Sequence, residues 1–298
     1  MSSQPDRMSV PEPNVPVEAD VPPVNERPTA SRKAVIRRAG ADGQVRPRSE
    51  LLATEEPFDI RINAEGHEIK ATVTMRTPGN DFELATGFLY AESVLGSKDD
   101  LSAVRYCQPQ AEQQYNVVTV DLRGPMPEMA TLDRMYYSGS GCGVCGKASI
   151  DRTALLGIPA QGEGPRVAPE LLLSLPERLQ KRRKLFDRTG GVHGAGVFDG
   201  QGNLECARED VGALNAVDKV VGWALLQDRL PLADRILVVS GRAGYDLVQK
   251  ALRAGAGILC ADGAPSTLAV DLAARFGLTL IGYRSDGIDI YSGERRVG

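Results

Sequence analysis

Histidine, tryptophan and long apolar runs are what this 298-residue chain has least of. His67 and His193 are its only imidazoles, which leaves little nitrogen to complete a metal site. No apolar run approaches the roughly 18 residues that suggest a membrane helix, and the N-terminus lacks the charged-then-apolar layout of a signal peptide. A cytoplasmic chain with no membrane partner is therefore expected. The formal charge of −4 is spread along the sequence without a basic stripe, so the long-range field that draws proteins onto nucleic acid is missing. No nucleic-acid partner is expected either. Cysteine is scarce and odd in number: five thiols in a cytosolic chain stay reduced and cannot all pair, so a clustered pair points to chemistry or metal rather than to a disulfide scaffold.

With 42% hydrophobic residues the chain can bury one large core or two modest ones, and two domains and a tail are expected. Residues 1–45 carry a Pro every few positions and many charges, which predicts a disordered tail. Residues 46–165 read as a β-rich α+β domain. Alternation from Pro57 to Thr74 around Asn63-Ala64-Glu65-Gly66 predicts a hairpin, a helix follows over Phe82 to Ser93 with Asn80 or Asp81 as N-cap, and Tyr115 to Leu122 alternates as a strand. Residues 166–298 change pattern: a helix near Pro169 to Phe186, a hairpin Gly194 to Arg208, a long helix from Asp210, then strands at Ile236–Val239, Gly257–Ala261 and Leu278–Tyr283 separated by helices. That order predicts an α/β fold whose largely parallel sheet is covered on both faces. The turns after its strands, Ser240-Gly241-Arg242, Gly263-Ala264-Pro265-Ser266 and Tyr283-Arg284-Ser285-Asp286-Gly287, should converge on one sheet edge, where small residues and helix N-termini favour phosphate.

The segment Ser138-Gly139-Ser140-Gly141-Cys142-Gly143-Val144-Cys145-Gly146-Lys147 sets two cysteines three apart in a run too rich in Gly for a packed strand or helix. A thiol at the tip of such a loop can enter a partner's active site, and Lys147 favours the thiolate that attacks sulfur. Zinc competes for the pair, but Cys107, Cys206 and Cys260 are isolated and supply no second half, so no zinc is expected. Cys206 and Cys260 sit in apolar strand patterns and read as core residues, and Cys107 has no assignment. His193, after Thr189-Gly190-Gly191-Val192, reads as either a structural histidine or a site residue. Arg208 and Lys219 would grip phosphates near the sheet edge, whereas Asp210 either caps the long helix or joins them.

Arg76-Thr77-Pro78-Gly79, the CxxC loop, Thr189-Gly190-Gly191-Val192-His193, Arg208-Glu209-Asp210-Val211-Gly212, Asn215-Ala216-Val217-Asp218-Lys219, Ser240-Gly241-Arg242-Ala243 and Gly263-Ala264-Pro265-Ser266 together resemble the formate dehydrogenase accessory sulfurtransferase family. The resemblance covers roughly residue 50 onward. It implies a sulfurtransferase that accepts persulfide sulfur from a cysteine desulfurase onto Cys142, with Cys145 assisting or resolving. The sulfur then goes to the molybdenum cofactor in its bis(molybdopterin guanine dinucleotide) form, bound as substrate, for formate dehydrogenase. It further implies a cofactor site at Tyr283, Arg284, Ser285, Asp286, Gly287 and Ile288, a cytidine-deaminase-like three-layer C-terminal domain with a mixed or parallel sheet, and by analogy a homodimer. Zinc deaminases need His-x-Glu and Pro-Cys-x-x-Cys at two helix starts. Those starts here hold Arg208-Glu209-Asp210 and Ser240-Gly241-Arg242, so deamination is not expected. The chain departs from the family at Ala213-Leu214, where a basic residue and His are usual. A non-catalytic cofactor chaperone and a zinc-stabilised adaptor are the alternatives.

Overall fold

The computed structural model describes residues 27–107, 115–127, 158 and 163–298. The CxxC loop with Cys142 and Cys145 lies outside the described residues.

In the N-terminal half, strands β3 (Glu56–Ala64) and β4 (His67–Arg76) form the expected hairpin. Glu65 and Gly66 both have positive φ, 53° and 81°, the two-residue turn whose twist matches its flanking strands. Alternation in β3 is strict: Phe58, Ile60, Ile62 and Ala64 are all buried. With β5 (Leu101–Tyr106) and β6 (Val117–Leu122) these strands make a four-stranded sheet in the order β4-β3-β6-β5. Helix α1 (Asp81–Ala91) follows β4. Asn80 occupies the N-cap position, but in the left-handed region and without a side-chain cap bond. The neighbouring Asp81 carboxylate instead accepts from the Gly79 amide at 3.2 Å and the Tyr106 hydroxyl at 3.0 Å.

Of the tail expected over residues 1–45, residues 1–26 lie outside the described residues and Ser31 onward is not a tail. Strands β1 (Ser31–Ala39) and β2 (Val45–Ala53) pair antiparallel as a separate ribbon. Val35, Ile36, Leu51 and Leu52 provide the strand-forming residues, diluted in the sequence by charges and proline.

In the C-terminal half the helix expected over Pro169 to Phe186 is two helices, α2 (Pro169–Gln180) and α3 (Lys184–Thr189). The break is held from outside. Glu209 accepts from the Leu185 and Phe186 amides at 2.9 and 2.8 Å, satisfying first-turn donors that a continuous helix would bond internally. Strands β7 (His193–Phe198) and β8 (Leu204–Asp210) form the expected hairpin, and α4 (Ala213–Leu226) follows. It starts three residues later than expected because Asp210 is still in the strand. Then come β9 (Ile236–Arg242), α5 (Tyr245–Arg253), β10 (Ile258–Gly263), α6 (Thr267–Phe276), β11 (Thr279–Arg284) and β12 (Gly287–Ser292). The sheet order is β12-β11-β10-β9-β7-β8, and only the β9–β10 and β10–β11 pairings are parallel. The sheet is thus mixed rather than largely parallel. What reads in sequence as a terminal turn over Tyr283 to Ile288 is a hairpin in which Arg284 pairs with Gly287.

Successive residues of the central strands bury on opposite faces. Leu237, Val239, Leu259 and Leu280 pack with α4, α5 and α6, while Ile236, Val238, Ile258, Cys260 and Ile281 pack under α2. The first cluster continues into Leu84, Phe58 and Ile60, so one apolar core runs through both halves. The crossing of α1 and α4 carries it. A Cβ on Gly87 would lie 1.8 Å from the Asp218 carbonyl oxygen, and one on Gly222 would lie 1.8 Å from that of Glu83. Only glycine lets the two backbones approach so closely.

Candidate functional site

The strand directions collect the predicted residues on one edge. Because β7 is antiparallel to both β8 and β9, the ends of β8, β9, β10 and β11 and the starts of β7 and β12 lie on the same side. His193 pairs with Asp210, Arg242 pairs with Gly263, and Arg284 pairs with Gly287 along this edge. Helices α4, α5 and α6 begin there, after Gly212, Gly244 and Ser266. The convergence expected of the post-strand turns is present.

His193, Ser240, Gly241 and Arg242 form a continuous group. The Gly194 amide donates to Ser240 Oγ at 2.8 Å, and His193 Nδ1 lies 3.5 Å from the point a Gly241 Cβ would occupy. Arg242 is exposed and makes no ion pair among the described residues. A Cβ on Gly263 would meet its Cγ at 2.8 Å, so that glycine lets Arg242 lie across the edge. Ser285 and Asp286 are exposed at the tip of the β11–β12 turn, with Gly287 and Ile288 half-buried beside them.

Three predicted cations are not free for phosphate. Arg208 is held bidentate by Glu83 of α1, at 2.5 and 2.6 Å. Lys219 is 1% exposed and pairs with Asp210 at 2.7 Å, donating also to the carbonyls of Thr77 and Glu209. Arg284 is tied to Asp289 at 2.6 Å and to the Tyr291 hydroxyl. Tyr283 points beneath α2, where its hydroxyl donates to the Leu172 carbonyl at 3.1 Å, and burial holds that phenol well above its ordinary range. Asp210, fully buried, accepts from the amides of Thr77 and Gly212, so it fastens the two halves together rather than capping α4 by itself.

The described thiols divide sharply. Cys206 and Cys260 are buried as expected, and desolvation pushes each up to about 12, leaving almost no thiolate near neutrality. Cys107 is half-buried at the end of β5. Among the described residues no group of three His, Cys, Asp or Glu side chains comes together that could hold a metal ion.

A model of the FdhD/NarQ family matches residues 53–298. The chain belongs to that family. FdhD/NarQ relatives named sulfur carrier protein FdhD are 46% identical in Streptomyces avermitilis, over 91% of this chain and 96% of the relative, and 45% identical in Mycobacterium tuberculosis, over 90% and 98%. The fold is that of a crystal structure of a candidate formate dehydrogenase accessory protein from Desulfotalea psychrophila, with a TM-score of 0.70 at 23% identity over 90% of this chain and all of that one. No helix among the described residues is long and apolar enough to cross a membrane.

Two features of this FdhD/NarQ chain escape a reading of sequence alone. Thr77 joins β4 to the other half: its amide donates to Asp210, its hydroxyl accepts from the Val211 amide, and its carbonyl accepts from Lys219. The Arg76-Thr77-Pro78-Gly79 string is therefore a fastening. Arg76 beside it is fully buried, between Glu56, Asp81 and the Tyr115 carbonyl. Arg183 is the second. The residue is 8% exposed, and its side chain donates to Gln180 and to the Val192 carbonyl, stacks on Phe186 and lies against Gly194. Desolvation lowers its pKa. With Ser240, Asp262 and Tyr283 it lines a cavity of about 280 Å³ under α2 at the sheet edge. In the sequence it is one cation within Lys181-Arg182-Arg183-Lys184, with nothing to separate it from surface charge.

Proposed function

We propose that this chain is a cytoplasmic sulfurtransferase that carries persulfide sulfur on Cys142 and delivers it to bis(molybdopterin guanine dinucleotide) molybdenum cofactor destined for formate dehydrogenase. The observation that carries the reading is the identity of 45–46%, over nine tenths of the chain, to relatives named sulfur carrier proteins. Buried Cys206 and Cys260 are unsuited to nucleophilic work, which leaves the CxxC pair and the half-buried Cys107 as the remaining thiols. Cys142 thiolate attacks the outer sulfur of a desulfurase persulfide, the donor's cysteine thiolate leaves, and Cys142 persulfide forms without net oxidation. Attack by Cys145 on the Cys142 sulfur then releases sulfide to the molybdenum substrate and leaves a disulfide for a cellular thiol to reduce.

The sheet edge supports the substrate half of the reading. Exposed Arg242 and the starts of α4, α5 and α6 offer a cation and backbone donors suited to nucleotide phosphates. The turn from Tyr283 to Ile288 borders that edge. The cytidine-deaminase-like arrangement of the C-terminal half and a homodimeric assembly complete the reading.

Intact-protein mass spectrometry after incubation with a cysteine desulfurase and cysteine tests it. The native chain and Cys145→Ala are expected to gain roughly 32 mass units per sulfur, reversibly with reductant, and Cys142→Ala to gain none. An unmodified native chain beside an active desulfurase would reduce the protein to a cofactor chaperone.

A further inference from the structure

The β1–β2 ribbon gathers charge that the linear sequence scatters. Between Ser31 and Ala53 stand Arg32, Lys33, Arg37, Arg38, Arg46 and Arg48 against Asp42 and Glu50, a net +4. Since the whole chain carries −4, the remaining residues carry −8. The six cations are all exposed. Antiparallel register sorts them: Arg38 opposite Arg46, Arg48 opposite Ile36 and Arg32 opposite Leu52 share one face with the half-buried Glu50, opposite Ala34, and on the same strand Arg46 and Arg48 are about 7 Å apart. Only Arg46 of these four has an ion pair among the described residues, with exposed Asp42. The opposite face shows Val35 and Val45, 79% and 57% exposed. A two-stranded ribbon, both of whose edges are unpaired among the described residues, has little of its own to bury and is marginal alone.

Its base adjoins the sheet edge. Ala53 Cβ lies 3.3 Å from the point a Gly191 Cβ would occupy, two residues before His193, and Arg188 of α3 donates to Ser31 Oγ at 3.5 Å. The family model begins at Ala53, while the relatives' matches, over 90–91% of the chain, extend into the ribbon.

We propose that this ribbon is a docking arm for a carboxylate-bearing surface of the protein that receives what the sheet edge holds, which under the function proposed above is formate dehydrogenase. Arginines beside Leu52, 46% exposed on the same face, suit a protein interface, and separated charges of one sign steer an oppositely charged partner into place. A long polyanion fits less well. The ribbon has no aromatic residue on which a base could stack, and the body of the molecule, at −8, repels an extended phosphate backbone.

The experiment compares the native chain with a variant carrying Arg32→Gln, Arg38→Gln, Arg46→Gln and Arg48→Gln, and with the same four positions changed to Lys. Binding to purified cofactor-free formate dehydrogenase is measured at two salt concentrations, with duplex DNA as a second probe. The Gln variant should bind the enzyme at least tenfold more weakly with a flatter salt dependence, the Lys variant should keep most of the affinity, and persulfide loading by the desulfurase should be unchanged in all three. Equal affinity of native and Gln chains, no binding by the native chain, or DNA bound as tightly as the enzyme would each overturn the arm. A native chain that takes up no sulfur yet loses the enzyme on Arg→Gln substitution would refute the sulfur-carrier reading and leave the arm standing.

Discussion

Replacing Gly222 by Ala places a methyl group 1.8 Å from the Glu83 carbonyl oxygen, with the Glu83 carbonyl carbon and Cα at 2.6 and 2.9 Å. Real contacts of this kind stay above 3.0 Å, and the obstacle is backbone, so α1 and α4 must part by more than 1 Å. Parting them opens the packing of Leu84, Phe88, Val221 and Leu225. Overpacking of this kind costs up to about 3 kcal/mol, against which alanine's better helix propensity returns about 1 kcal/mol. A net loss of about 2 kcal/mol should lower the melting temperature by about 4–8 °C for a chain of this size. Gly87→Ala meets the Asp218 carbonyl in the same way. Once the helices have separated for one methyl group the second finds room, so the double variant should cost less than the sum of the singles. Gly124→Ala, with nothing within 4 Å, is the control and should change stability by less than about 0.5 kcal/mol. Calorimetry or urea titration on these four chains decides it. A Gly222→Ala chain as stable as the control would refute the close crossing.

Lys219→Met strands Asp210 as a buried, unpaired carboxylate and should cost about 3–5 kcal/mol in urea denaturation, part of it recovered by adding Asp210→Asn. Burial pushes Asp218 up to about 6 from its ordinary 3.8, even beside Lys250. Because the folded value is the higher one, the stability this carboxyl contributes is complete below about pH 4 and is lost as pH rises through about 6. Asp218→Asn should remove that slope from a pH series of denaturation midpoints, and a slope that persists would assign it to another group. Iodoacetamide at pH 8 should leave Cys206 and Cys260 unmodified until the chain is unfolded, as read by peptide mass mapping; rapid labelling of either in the native protein would contradict its burial.

Periodicity made the frame legible. Strands β3, β7, β9, β10 and β11 and helices α1, α5 and α6 stand close to their expected positions, because β3 alternates and α5 and α6 repeat their apolar residues in step with one buried face, while β7, β9, β10, β11 and α1 are apolar runs buried on more than one side. Local composition misled at Ser31–Ala53, where charge and proline hide a ribbon that the antiparallel register reveals, and where four scattered arginines come to share one face. The site was half legible. The edge and its Ser240-Gly241-Arg242 and His193 group follow from strand order. The fates of Arg208 and Lys219 do not, since a cation near a ligand edge and a cation held in an internal ion pair look alike until Glu83 and Asp210 are placed opposite them. Arg183 was hidden for the same reason, inside a run of four basic residues of which it alone turns inward.

The fastening of Thr77 to Asp210, Val211 and Lys219 bears on how such a chain could be recombined or cut. A fragment ending before β7 would keep α1 with its Gly87 face bare, and the complementary fragment would keep an aspartate and a lysine whose shared partner had gone. Neither piece can be lent to another protein as a module, and the two halves are heritable only together.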